Sequence, residues 1–199
     1  MKNSPPILGI TGGIGSGKST VCKIFEILGA VTYYADDRAK WLMEHDDNLI
    51  QSIKNLFGQD AYKNQRLDRT YIAKQVFKND SLLKTLNALV HPVVGKDVED
   101  WMNENKNAKL LLKEAALIFE TESFRSLDKV ILVTAPDDIR IERVLKRDTH
   151  RNRQDIKDIM DKQMTDEEKI SLADYVIRND EHHSLIKQVM ELFDQLIIA

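Results

Sequence analysis

Gly12-Gly13-Ile14-Gly15-Ser16-Gly17-Lys18-Ser19-Thr20 has the residue types and the spacing to hold a chain of phosphates. A triphosphate needs several donors converging on its oxygens, and glycines let the backbone turn its N–H groups inward with no Cβ in the way. Lys18 is expected to reach the β- and γ-phosphates, and the Ser19 hydroxyl to ligate Mg²⁺. A glycine-rich turn that binds nothing has the same composition, so context must decide: the motif needs a strand before it and a helix behind it. The apolar run Ile7–Thr11 reads as a short buried strand. From Lys18 to Leu28, Val21, Ile24, Phe25 and Leu28 share one helical stripe, with Gly29 as a stop. That helix adds its first-turn N–H groups and the positive end of its dipole. The whole stretch Gly12–Thr20 is therefore the candidate nucleotide cradle.

Acids and bases around the cradle suggest the chemistry. Asp36 falls at the carboxyl end of an apolar strand, Val31–Tyr34, on the rim where ligands of open α/β sheets bind. Its carboxylate either accepts the proton of an attacking hydroxyl or caps the following helix, and spacing alone does not choose. Glu114 closes the apolar run Leu110–Leu112, with Lys113 beside it. It either orients Mg²⁺ and its waters or is a solvated strand end. Glu120, after Leu117-Ile118-Phe119, is a further acid of this kind. Arg140, Arg143 and Arg147, three and four apart, lie on one helix face, with Arg151 and Arg153 beyond Asp148. They form either a flexible cover that stabilises charge on a transferring phosphoryl group or a solvated face paired with Glu142 and Asp148.

The elements that must position these groups alternate between strand and helix patterns. A short helix is expected over Arg38–Glu44, with Ala39, Leu42 and Met43 inward. The stretch from Asp47 to Asn105 reads as three or four amphipathic helices and no strand. Leu49, Ile50, Ile53, Leu56 and Phe57 form a stripe closed by Gly58. Asp68 caps a helix burying Ile72, Val76 and Phe77. Leu82, Leu83, Leu86, Leu89 and Val90 form a third stripe stopped by His91-Pro92, and a helix from Val93 to Asn103 follows. An all-helical insertion suits substrate binding. Leu110–Leu112, Lys129–Val133 and Asp174–Ile177 read as strands three to five. Pro136 takes the first position of a helix reaching about Arg147, and a charged connection, Asp148–Arg153, leads to another ending near Met164. The last helix, Ser184–Ile197, buries Leu185, Val189, Leu192, Phe193 and Leu196. The fold class is α/β, a five-stranded, mostly parallel sheet covered on both faces.

At 199 residues the chain suits one domain, and a net charge of −3 argues against a general nucleic-acid binder. The single cysteine, Cys22, excludes an internal disulfide and reads as a small buried side chain. No apolar run has the length of a membrane span, and Met1–Pro6 is too short and polar for a signal peptide. A cytoplasmic location is the expectation.

Taken together, Thr11–Thr20, Ala35-Asp36-x-x-Ala39-Lys40, Leu67-Asp68-Arg69, Leu89-Val90-His91-Pro92, Arg143-x-x-x-Arg147-Asp148, Gln163 and Ala173-Asp174-Tyr175-Val176-Ile177-x-Asn179 resemble the dephospho-CoA kinase family. They run in order over nearly the whole chain. The resemblance implies a kinase that moves the γ-phosphate of ATP, with Mg²⁺, to the ribose 3′-hydroxyl of dephospho-CoA, the last step of coenzyme A synthesis. It implies one P-loop NTPase domain over 1–199, with a helical acceptor-binding subdomain at about 45–105 and a lid at about 140–155. By motif position Asp36 is similar to the family's general base, and Lys18, Arg143 and Arg147 join it as catalytic residues. Asp36, Lys40, His91 and Pro92 are the implied acceptor contacts, although His91 either touches substrate or merely ends a helix. Ser19 and Glu114 are the implied metal ligands. The chain departs from the family pattern at Tyr34, where an aspartate is usual, at Lys40, where an arginine is usual, and at Ala116, where a proline is usual. Other nucleoside or metabolite kinases share the loop alone, and the N-K-x-D stretch that selects guanine is absent.

Overall fold

In chain order the elements are β1 (Ile7–Thr11), α1 (Lys18–Ile27), β2 (Val31–Tyr34), α2 (Ala35–His45), α3 (Asp47–Phe57), β3 (Tyr62–Lys63), β4 (Arg66–Leu67), α4 (Arg69–Val76) and α5 (Asp80–Glu104). They continue with β5 (Leu111–Glu114), β6 (Lys129–Thr134), α6 (Asp137–Arg147), α7 (Arg153–Met160), α8 (Asp166–Ile170), β7 (Tyr175–Arg178) and α9 (Leu185–Ile198). The computed structural model describes residues 5–76 and 79–198, so the expected burial of Phe77 lies outside the described residues. Two compact units divide the chain: Ala35–Glu104, and the segments on either side of it.

The flanking segments build a sheet of order β2-β5-β1-β6-β7, and every pairing in it is parallel. β1 is central and buried at all five positions, which explains why it carries no charged residue and only one polar side chain, Thr11. The chain therefore leaves the middle of the sheet at Thr11 and enters the glycine loop at its carboxyl edge. On one face Leu8, Ile10, Leu112, Ile131 and Ile177 pack with Val21, Cys22 and Phe25 of α1 and Val189, Leu192 and Phe193 of α9. Elsewhere Ile118, Phe119 and Val130 gather Phe124, Leu127, Met164 and Ala173. Cys22 has no exposed surface, and burial, reinforced by the Glu114 and Glu26 charges, pushes its thiol far above the usual range. Native protein held with iodoacetamide in mildly alkaline buffer should keep an unmodified mass and gain one adduct only after unfolding. Prompt native labelling would contradict this placement.

The Ala35–Glu104 unit has its own core, in which Leu42, Leu49, Ile53, Phe57, Ala61, Ile72, Leu86 and Val90 meet. Asp46 caps α3 through the Leu49 N–H at 2.8 Å, and Asp68 accepts from the Tyr71 N–H at 2.9 Å. Two expectations fail in this unit. β3 and β4 form a hairpin where no strand was expected, turning on Asn64 and Gln65, both at positive φ (50° and 64°). Two-residue strands are too short to show alternation, and only Asn64 signals the turn.

His91-Pro92 does not stop a helix, because α5 runs through it as one element of 25 residues. A proline inside a helix removes one hydrogen bond and crowds the carbonyl four residues earlier, at a cost of about 3 kcal/mol. Here that carbonyl belongs to Ala88, an exposed residue, so water can satisfy it. Leu86, Val90 and Val98, buried on either side of the proline, hold the helix together.

The remaining differences are local. α2 starts three residues earlier than expected, and α7 ends at Met160. Pro136 is the residue before α6, not its first. The short α8 was not expected, although Thr165 and Glu168 write its reciprocal capping box into the sequence. Among the described residues no helix is long and apolar enough to cross a membrane.

Candidate active site

The loop after β1 is clasped from outside. Ile14 donates its N–H to Gln163 Oε1 at 3.0 Å and accepts Arg140 Nε on its carbonyl at 3.0 Å. Its side chain packs on Ile141, Val144 and Ile156 of α6 and α7. Further along, the Ser16 carbonyl accepts Asn179 Nδ2 at 2.8 Å, and the Ser16 N–H donates to Gly13 O at 3.1 Å. Gly17, the N-cap of α1, has φ 95°, and a Cβ there would stand 2.1 Å from Asn179 Nδ2. A larger residue would strain the backbone and expel the asparagine together. Of the expected cradle Gly12–Thr20, the Ile14 N–H is thus engaged by Gln163. Ser16 Oγ is buried with no hydrogen-bond partner, a polar atom inside the loop itself.

Lys18 Nζ donates to the Gly12 carbonyl at 3.0 Å and lies 3.9 Å from Glu114 Oε1, with both side chains nearly buried. The structure thus brings Lys18 and Glu114 together under the loop. Ser19 and Thr20 are exposed in the first turn of α1. A hydroxyl and a carboxylate are hard oxygen donors of the kind Mg²⁺ prefers. Among the described residues no group of three or more His, Cys, Asp or Glu is placed to hold a metal. Tyr34, standing where the family pattern has an acid, donates its hydroxyl to Glu26 at 2.9 Å.

The arginines of α6 are not one face with one job. Arg140 is buried against the loop, its Nη1 2.9 Å from Asp137 and 3.8 Å from Asp166. Burial lifts the Asp166 carboxyl while Arg140 holds it down, and the net direction is upward. Arg143 is half-buried and reaches the Asn179 carbonyl at 3.2 Å and its Oδ1 at 3.4 Å. Arg147 is exposed and grips both oxygens of Asp148 at 2.9 Å, and Arg151 also lies 3.5 Å from that carboxylate. The Arg147 hydrogen bonds hold the Asp148 carboxyl below the usual range. An open cleft of about 1190 Å³ borders the wall formed by Arg140 and Gln163, with Arg153, Lys157, Arg178 and Asp180 also lining it.

The remaining expected site residues belong to the other unit. Asp36 is exposed in the first turn of α2, inside the helix and not at its cap. Lys40 pairs with Asp37 at 2.7 Å, and His91 and Pro92 are exposed mid-way along α5.

A family model described as dephospho-CoA kinase matches residues 6–184. The chain belongs to the dephospho-CoA kinase family. Among curated relatives, the dephospho-CoA kinase of Porphyromonas gingivalis is 38% identical, the alignment covering 94% of this chain and 92% of the relative. That of Chlorobaculum tepidum is 37% identical over 94% of each. Among solved structures, TT1252 from Thermus thermophilus aligns with a TM-score of 0.87 at 32% identity, covering 96% of this chain and 97% of that one. The dephospho-CoA kinase from Campylobacter jejuni aligns with a TM-score of 0.70 at 25% identity, over 100% and 98% of the two chains. These likenesses and the glycine loop on β1 make the fold that of a P-loop kinase with a parallel five-stranded sheet.

In this dephospho-CoA kinase family member the segment Ala173–Asn179 is structural at both ends. Asp174 accepts the Val130 N–H and pairs with Lys129, each at 2.8 Å, so it fixes β7 to β6, and Asn179 supports the loop. Glu120 faces Lys169 at 3.0 Å. Sequence reasoning named Gln163, Asn179 and Arg140 but could not give them the phosphate loop as partner, because each contact with the loop spans more than a hundred residues.

Proposed function

We propose that the chain transfers the γ-phosphate of ATP to the ribose 3′-hydroxyl of dephospho-CoA, giving coenzyme A. The observation that carries this reading is the reach of the family match. It covers residues 6–184, and so includes the Ala35–Glu104 unit as well as the phosphate loop that many kinases share. Lys18 and the backbone of Gly12–Thr20 hold the phosphates, and Ser19 and Glu114 take a Mg²⁺ ion. Bound there, the ion would supply positive charge against the phosphate oxygens. Asp36 accepts the proton of the attacking hydroxyl, while Lys40, His91 and Pro92 meet the acceptor. Arg147 stabilises charge on the transferring group, within a lid at about 140–155 that excludes water, while Arg143 steadies the loop through Asn179. A free, buried Cys22 fits a reducing compartment, and the cytoplasm is the proposed location.

The test is incubation with ATP, Mg²⁺ and dephospho-CoA, followed by mass analysis. Coenzyme A should form, and a dephospho-CoA analogue lacking the 3′-hydroxyl should not react. Phosphorylation of a nucleoside in preference to dephospho-CoA would overturn the reading. Asp36→Asn should lower turnover by about 10²–10⁴, the usual worth of general-base assistance, with ATP affinity intact. Near-normal turnover in that variant would remove Asp36 from the role of base.

A further inference from the structure

Lys169 has no exposed surface, and its ammonium faces the carboxylate of Glu120 with Nζ 3.0 Å from Oε1. The pair is poorly completed. Glu120 Oε2 and Lys169 Nζ are both buried without a hydrogen-bond partner. A buried ion pair in that state is a weak source of stability, since two apolar side chains of similar volume often hold a core as well. It does, however, provide one thing apolar residues cannot. Glu120 Oε1 accepts the backbone N–H of Met164 at 3.1 Å. The neighbouring residue is Gln163, whose side chain takes the N–H of Ile14 at the crest of the phosphate loop at 3.0 Å.

One short segment is thus fixed at one residue by a buried carboxylate and at the next clasps the loop. Lys169 follows within the same segment, at the start of which Thr165 and Glu168 cap α8. From the opposite side Arg140 holds the Ile14 carbonyl. We infer that Glu120, largely buried beside Lys169, positions the phosphate loop: its carboxylate oxygen fixes the Met164 backbone so that Gln163 can hold Ile14, and the loop keeps the curvature that binds polyphosphate. Glu120 is a positioning residue, acting through Gln163. The inference rests on the nucleotide-binding part of the proposed function. Its test reads ATP affinity, which needs no acceptor, so its failure and that of the acceptor assignment are separable.

Two double variants divide positioning from packing. E120Q/K169M removes both charges but keeps an acceptor for the Met164 N–H, and E120L/K169M removes the acceptor as well. Titration calorimetry with ATP should give E120Q/K169M within about threefold of the parent protein. E120L/K169M should weaken binding about tenfold, the usual worth of one hydrogen bond, although both melt within a few degrees of each other. Gln163→Met should match the E120L/K169M loss, and combining the three substitutions should add nothing further. Equal ATP affinity in the two double variants, or losses that multiply in the combination, would overturn the inference. Should E120L/K169M fail to fold, amide exchange in the parent protein decides. Ile14 and Met164 should be protected to the same degree, and Ile14 exchanging freely while Met164 stays protected would overturn it.

Discussion

Lys18→Ala should lower turnover by about 10³-fold or more, with little change in melting temperature, because on the proposed reading its ammonium meets the phosphates. The geometry explains the split. Lys18 contributes to the fold through a bond to the Gly12 carbonyl and a 3.9 Å approach to Glu114, neither of which holds the core together. Its approach to Glu114 is a long 3.9 Å, a contact it can exchange for a β- or γ-phosphate oxygen. Charge grows on those oxygens as the phosphoryl group moves, and a fixed ammonium stabilises the transition state more than the ground state. Steady-state rates with saturating ATP, beside a thermal melt, check both halves. A variant keeping a tenth of normal turnover would show that backbone amides alone carry the charge stabilisation.

Arg147→Ala should cost about 10³–10⁵ in turnover, the range for an arginine that meets a transferring phosphoryl group. Each decade corresponds to roughly 1.4 kcal/mol of barrier. Arg147 is exposed and held bidentate by Asp148, so a carboxylate occupies its fork in this structure. A phosphoryl group offers the same planar pair of acceptors, and the guanidinium can change partners without losing its hydrogen bonds. Arg143→Ala should differ in kind. Its partner is Asn179, which supports the Ser16 carbonyl, so the larger change should be in the KM for ATP. If both variants lost affinity and turnover alike, the division of labour between the two arginines would be wrong.

Much of the sheet was legible because its signals are local. β1 is a short, mostly apolar run ending at the glycine loop, and α1 and α9 carry complete stripes. What was not legible depends on partners far away in the chain. Arg140, Arg143 and Arg147 share a helical spacing, yet one is buried on the loop, one is bonded to Asn179 and one lies in solvent, because different neighbours meet successive turns of α6. Glu120 resembled a metal-orienting acid until Lys169 appeared beside it. Pro92 read as a stop because the penalty for an internal proline is local, whereas the apolar packing that overrides it comes from the whole Ala35–Glu104 unit. Asp36 moved from a strand tip into the first turn of α2 by the smallest of shifts, since the boundary between β2 and α2 has no loop at all.

The central claim is that an acceptor hydroxyl, and not water, takes the phosphoryl group. The most direct measurement follows ADP and coenzyme A together, with and without dephospho-CoA. The account predicts that ADP and coenzyme A appear in equal amounts, and that ADP formation nearly stops when the acceptor is withheld. ADP released at the same rate in its absence would contradict it.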